Sequence, residues 1–153
     1  MPDNNTTTGV YPVYENQFKI DIEGGNGTND SNQKTIADCT TFSVSIDGKV
    51  QEWDSFTEEG WTRRLVTGKS ISITINAKRN IGDPGNDYVD GLALKTGADA
   101  STTLTWNFPS GAKLVIPCVV NVTNWGGGEA VDVAPLEFEC LSNGKPTFTP
   151  AAA

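Results

Sequence analysis

The sequence contains no histidine. That absence excludes a Ser-His-Asp triad, a Cys-His nucleophile pair and any histidine-ligated metal centre. Cations are scarce as well: 11 Lys and Arg stand against 19 Asp and Glu, a formal net charge of −8 over 153 residues. Holding phosphates takes Lys and Arg, so this balance argues against a nucleic-acid-binding surface and against an anionic membrane. No apolar run approaches the ~20 residues that span a bilayer. The polar stretch Met1 to Gly9 lacks the basic and apolar regions of a signal peptide, so none is expected. Cysteine is rare: Cys39, Cys118 and Cys140 have no metal-type spacing and read as free, mostly buried thiols. No cofactor is implied.

What the sequence has in abundance is alternation with a period of two, the pattern of half-buried strands. Phe18, Ile20 and Ile22 alternate with polar neighbours, as do Phe42, Val44 and Ile46, then Ile71, Ile73, Ile75 and Ala77. Leu104, Trp106 and Phe108 follow, and finally Leu136, Phe138 and Cys140. Each stretch predicts one face in a core and one polar face, as in antiparallel sheets covered on one side. Residues 114–122 are apolar on both faces, with Val115 and Val119 opposite Leu114, Ile116, Cys118, Val120 and Val122. Such a strand is either central or covered by another subunit, and Pro117 within it predicts a sheet edge or a bulge.

One helix is predicted over residues 84–96. Asp83 is a good N-cap, Pro84 suits the first turn, and Gly97 is a natural stop. Val89, Leu92, Ala93 and Thr96 form a short stripe that can lie on a sheet. Residues 23–33 read as a mobile Gly/Asn/Asp/Ser-rich loop. The whole chain reads as one domain: a flexible arm over 1–14, a β core over 15–149 and a flexible tail over 150–153.

Motifs that could carry chemistry fail on inspection. Asp83-Pro84-Gly85-Asn86-Asp87 puts Gly85 and Tyr88 where a calcium loop needs an oxygen ligand and a glycine. Gly24-Gly25-Asn26-Gly27-Thr28 lacks the Gly-Lys-Ser/Thr ending of a phosphate loop. Glu58-Glu59 and Glu137/Glu139 have no apolar pocket to split their pKa values, so no enzyme is expected. From Glu129 to Cys140 there are carboxylates at Glu129, Asp132, Glu137 and Glu139 and no Lys or Arg. The segment 51–60 is the strongest anomaly: Trp53, Phe56 and Trp61 stand among Glu52, Asp54, Glu58 and Glu59, with Arg63-Arg64 just beyond. These rings either fold back onto the core or anchor an interface, where Trp and Arg are over-represented.

The ordered segments resemble the major tail tube proteins of bacteriophages with long, non-contractile tails. The resemblance is carried by Gly9-Val10-Tyr11-Pro12-Val13, by Phe42-Ser43-Val44-Ser45-Ile46-Asp47-Gly48 with Trp53 beyond, and by Gly60-Trp61-Thr62-Arg63-Arg64. Lys78-Arg79-Asn80-Ile81-Gly82-Asp83-Pro84-Gly85-Asn86-Asp87-Tyr88, then Trp106-Asn107-Phe108-Pro109-Ser110-Gly111-Ala112 and Gly144-Lys145-Pro146-Thr147-Phe148 complete it, over residues 10–149.

The resemblance implies a mainly β fold, two packed antiparallel sheets in a sandwich or barrel-like arrangement, with one flanking helix. It implies self-association into hexameric rings stacked as a tube, a virion location after assembly in the bacterial host cytoplasm, and a lumen that passes DNA without binding it. A tape-measure protein and tail terminator and tip proteins are the implied partners, with no membrane. On this reading Trp53, Phe56, Trp61, Arg63 and Arg64 contact the adjacent ring. Tyr11, Tyr14, Val115 and Val119 meet neighbouring subunits, and Asp132, Glu137 and Glu139 line the lumen. A monomeric β-sandwich binding module, carbohydrate-binding or capsid-decorating, is the alternative, with Trp53 and Trp61 as exposed platforms.

Overall fold

A computed structural model of the protein describes residues 9–24 and 32–151. Among these residues are eight strands and one short α-helix, in the order β1 (Gln17–Asp21), β2 (Gln33–Thr35), β3 (Cys39–Asp54), β4 (Thr62–Lys78), α1 (Pro84–Gly91), β5 (Ser101–Asn107), β6 (Lys113–Trp125), β7 (Pro135–Ser142) and β8 (Thr147–Thr149). All pairings are antiparallel, and they form one sheet in the order β2-β1-β5-β6-β7-β4-β3, with β8 added to β6. The mainly β architecture and single helix are as expected. In place of two separate sheets there is one, curled so that its two ends face each other. Phe18 on β1 packs edge-on against Phe42 on β3, ring centroids 4.8 Å apart, although the two strands stand far apart in the strand order. Trp106 stacks on Phe18 and on Phe108, and its indole N–H donates to Asn16 Oδ1 at 2.8 Å.

The concave face holds the core. Ile20, Ile73, Ile75, Leu104, Ile116, Leu136 and Phe138 are fully buried there, with Cys118 and Cys140 beside them as free thiols. α1 closes one side with Val89 and Leu92. Its start follows the local signals: Asp83 caps it by accepting the Asn86 N–H at 3.0 Å, and Pro84 opens the first turn. Its end does not. The helix stops at Gly91, with Leu92 as C-cap, rather than running to residue 96. Glycine weakens a helix interior by ~1 kcal/mol relative to Ala, and no second apolar turn offsets that here, because Leu94 points to solvent. Gly97, with φ of 64°, opens a short 3-10 turn instead.

Asn86 is buried at the helix start and uses both ends of its amide. Oδ1 accepts from Arg79 Nη1 at 2.8 Å and from the Asn80 N–H, while Nδ2 donates to the Lys78 and Ala37 carbonyls. Arg79 also pairs with Asp87 at 2.7 Å and with Asp90 at 3.2 Å. The Arg79 hydrogen bond, joined by the Gly82 N–H, holds the Asp87 carboxyl below its ordinary value. This cluster ties α1 to the connection between β2 and β3 and to the end of β4.

Pro117 lies neither at an edge nor in a bulge. It sits inside β6, opposite Thr103 of β5, where the other neighbour of β6 changes from β7 to β8. Its carbonyl accepts from the Asn143 N–H at 2.7 Å, on the side where the ladder is interrupted. The missing proline N–H faces the same gap, since both groups of a strand residue point to one side. Most of the loop over residues 23–33 and most of the N-terminal arm lie outside the described residues, and Gln33 belongs to β2. Val13–Glu15 form a 3-10 turn within the expected arm.

Candidate assembly interface

β3 and β4 are far longer than the strands beside them, and that length builds the candidate site. β4 pairs with β7 only from Ser72 to Lys78, yet β3 and β4 pair with each other out to Asp54 and Thr62. From Gly48 to Asp54 the hairpin stands off the sheet by roughly 20 Å at ~3.3 Å per residue. Of the expected loop over residues 51–60, the first four residues continue β3 to Asp54, and the tip, Ser55 to Trp61, is turn. A bulge between Lys49 and Val50, opposite Thr67, lets the arm twist away from the sheet.

An isolated two-stranded ribbon is marginal in water, and cross-strand pairs hold this one. Register and alternation put Glu52 and Arg64 on the face that continues the core side, and their side chains pair at 3.0 Å. On the opposite face the Arg63 guanidinium lies 5.6 Å from the Trp53 ring centroid. Both contacts are exposed, so each contributes at most ~1 kcal/mol. The tip is ordered by its own chemistry. Ser55 Oγ accepts the Thr57 N–H, Thr62 Oγ1 donates to Asp54 Oδ1 at 2.8 Å, and Glu59 and Gly60 take the left-handed conformations that close the turn.

This ordered tip turns its aromatic rings outward. Phe56 is 104% exposed, Trp61 78% and Trp53 43%. Val50, Leu65 and Val66 on the arm and Val44 and Ile46 at its base are exposed too. The alternation at Phe42, Val44 and Ile46 predicts a core face, but only Phe42 packs on the core; the strand outruns everything that could cover it. The interface reading missed Val50, Leu65 and Val66, although they flank the aromatic segment on both strands. Arg63 and Arg64 are engaged within the hairpin, Arg64 with Glu52 and Arg63 with Trp53.

Other expected contact residues are scattered. Tyr14, within the turn at Val13–Glu15, and Tyr11, just before it, are exposed. Val115 and Val119 are half-buried on the convex face of β6, and the connection from β7 to β8 lies beside Val115 and Pro117. Glu137 and Glu139 share that convex face on β7, and Asn121 Nδ2 donates to Glu139 Oε1 at 3.0 Å. Asp132 stands apart from them. It lies in the connection between β6 and β7, where its carboxylate accepts the Glu129 N–H at 2.8 Å. Among the described residues no strand pairs with the outer edge of β3 along its 16 residues. Among the described residues no cluster of Cys, Asp and Glu could hold a metal ion, and no helix is long and apolar enough to cross a membrane.

No model of a known protein family matches the sequence, and no curated protein matches it. Solved structures do. A protein of the tail of an empty gene transfer agent particle, determined by helical refinement with C6 symmetry, superposes with a TM-score of 0.71 at 16% identity, over 92% of this chain and 100% of its own. The chain has the fold of this tail protein. A protein of the native gene transfer agent virion matches with a TM-score of 0.67, also at 16% identity, over 92% of this chain and 100% of its own. The tube-terminating cap of the anti-feeding prophage matches with a TM-score of 0.58 at 13% identity, over 97% of each chain. The likeness thus covers nearly the whole sequence.

Proposed function

We propose that this protein is the building block of a viral tail tube: six copies form a ring, rings stack, and the lumen conducts a genome into the host cell. The observation that carries the reading is the β3–β4 arm, an ordered hairpin that stands off its own sheet and presents Trp53, Phe56 and Trp61 to solvent. Contiguous exposed apolar surface of this kind marks a protein contact, and a monomer gains nothing from holding it in water. The fold and the C6 symmetry of one structural neighbour support the same reading.

Ring closure falls to the open edge of β3, whose backbone groups need a partner strand. Arm and sheet are unlike surfaces, so contact between them is head-to-tail and either closes into a ring or continues as a filament. The outer rings meet the adjacent ring, with Arg63 and Arg64 holding the hairpin in shape; Tyr11, Tyr14, Val115 and Val119 add contacts between subunits. Glu137 and Glu139 line the lumen, where carboxylates repel phosphates and leave DNA no cation to bind. The tube is a virion component assembled in the bacterial cytoplasm around a tape-measure protein and finished by terminator and tip proteins. The role is structural and needs no catalytic group.

Electron microscopy of the purified protein tests the reading. Hollow tubes or sixfold rings are expected. Particles that stay monomeric at high concentration, with Trp fluorescence quenched by an added sugar, favour a carbohydrate-binding module instead.

A further inference from the structure

The end of the sheet from which the hairpin leaves also carries an apolar cleft of about 660 Å³. Its floor is Ile46, Ile71 and Pro146, and its two charged residues are Lys69 and Lys145. Nothing among the described residues fills it. The opposite end of the sheet carries its chemical complement. Residues 126–134 connect β6 to β7 and expose Val131 (90%) and Val133 (64%) beside the carboxylates of Glu129 and Asp132, with no Lys or Arg in the segment. The connection is preformed: the Glu129 carbonyl accepts the Asp132 N–H, Asp132 Oδ2 accepts the Glu129 N–H, and Asn124 Oδ1 accepts the Gly127 N–H.

The two surfaces cannot meet within one molecule. The acidic connection enters β7 at Pro135, and the cleft is built where β7 ends, at Ser142 and beyond. The eight residues of β7 hold them roughly 25 Å apart at ~3.3 Å per residue. A second copy displaced along the strand direction brings its acidic connection to the cleft of the first, with valines meeting the apolar floor and carboxylates meeting lysines.

The geometry points to a specific stacking contact: residues 126–134 of one copy seat in the Lys69/Lys145 cleft of a copy in the next ring. This rests on the tube reading and names the surfaces that join its rings. The contact is heterologous, so it repeats without limit along one axis. The hairpin tip, with Phe56 between acidic residues, is a poorer occupant, because it leaves the same end of the molecule as the cleft.

Two measurements on the full-length protein test the contact. Lys145→Glu is expected to raise the critical concentration for tube assembly at least about tenfold, since like charges then face each other, and Glu129→Lys in the same chain is expected to restore it. Glu129 is chosen because Asp132 also caps its own turn. Second, a chain carrying Val131→Cys and Lys145→Cys, assembled and mildly oxidised, is expected to give a ladder of covalent oligomers on denaturing gels. Tubes that form but give no ladder overturn this contact and leave the tube reading standing. A ladder obtained instead from Phe56→Cys with Lys145→Cys assigns the cleft to the hairpin tip and also overturns it. A wild-type chain that never forms tubes overturns both.

Discussion

Phe56→Ala separates the role of the arm from the stability of the fold. In the single chain Phe56 is fully exposed at the tip of an ordered turn and packs on nothing. Its removal is expected to change the stability of unassembled protein by no more than ~0.5 kcal/mol, a shift of roughly 1–2 °C in Tm for a chain of this size. On the proposed tube reading the same ring is buried between subunits. Aromatic side chains bury ~150–250 Å², which at ~25 cal/mol per Å² sets an upper bound of roughly 4–6 kcal/mol. Truncating an anchor residue commonly costs ~2 kcal/mol or more. Taking ~2 kcal/mol per added subunit, the critical concentration for assembly rises about 30-fold. Sedimentation across a concentration series gives the critical concentration, and thermal unfolding of the unassembled fraction gives the stability. Trp61→Ala is expected to behave alike, whereas Trp53→Ala also removes the contact with Arg63 and is the less clean probe. Wild-type assembly by Phe56→Ala would refute the reasoning, as would a drop in Tm large enough to place the ring in the folded core.

Three further outcomes are expected. Asn86→Ala takes the side-chain partner from the Lys78 and Ala37 carbonyls and from the Asn80 N–H, so unfolding should show a loss of ~2–4 kcal/mol; a loss below ~1 kcal/mol means that water replaces the amide. Gly85→Ala should be nearly as damaging, because the new Cβ would stand 2.5 Å from the Thr35 carbonyl oxygen, and a Tm equal to that of wild type would mean that the β2–β3 connection yields freely. Cys39, whose Sγ lies 3.5 Å from the Ile36 carbonyl oxygen, has its thiol pushed up to about 11 by burial and by the carboxylates of Asp38 and Asp83; its alkylation rate should climb with pH to a midpoint near that value, and a midpoint near the ordinary 9.0 contradicts this environment.

Where the sequence was legible, the determinant was local. Ile71, Ile73 and Ile75 declare their strand because alternation needs no tertiary partner to be seen, and Asp83 with Pro84 declares the helix start because a cap acts within one turn. The helix end was hidden, since it turned on whether Leu94 found a surface to cover. Pro117 was misplaced for a related reason. Its tolerance depends on β7 ending and β8 beginning beside it, a fact of topology 25 or more residues further along the chain. The hairpin was half visible. Trp53, Phe56 and Trp61 stood out by type, but whether they fold inward depends on how far β3 outruns its neighbours. The Arg79–Asn86–Asp87 network was invisible as a unit, because it is assembled by a strand end, a helix start and the Asp38 turn together.

The two ends of the sheet differ in chemistry, and on the proposed tube reading that difference bears on how the tube grows. One end offers the hairpin, the apolar cleft and two lysines; the other offers a valine-bearing acidic connection and the carboxylates around Arg79. Identical ends would pair back to back and stop at two rings, since an isologous contact consumes itself. Unlike ends leave one of each kind free after every addition, so growth stays polar and the tube keeps a direction. Between the ends, on the convex face, β7 presents Glu137 and Glu139. Replacing both with Lys should therefore leave tube assembly intact and impair genome delivery, because phosphates sliding past would meet cations that hold them. Failed assembly of that variant would move the two carboxylates into a subunit contact, and undiminished infectivity would remove them from the lumen.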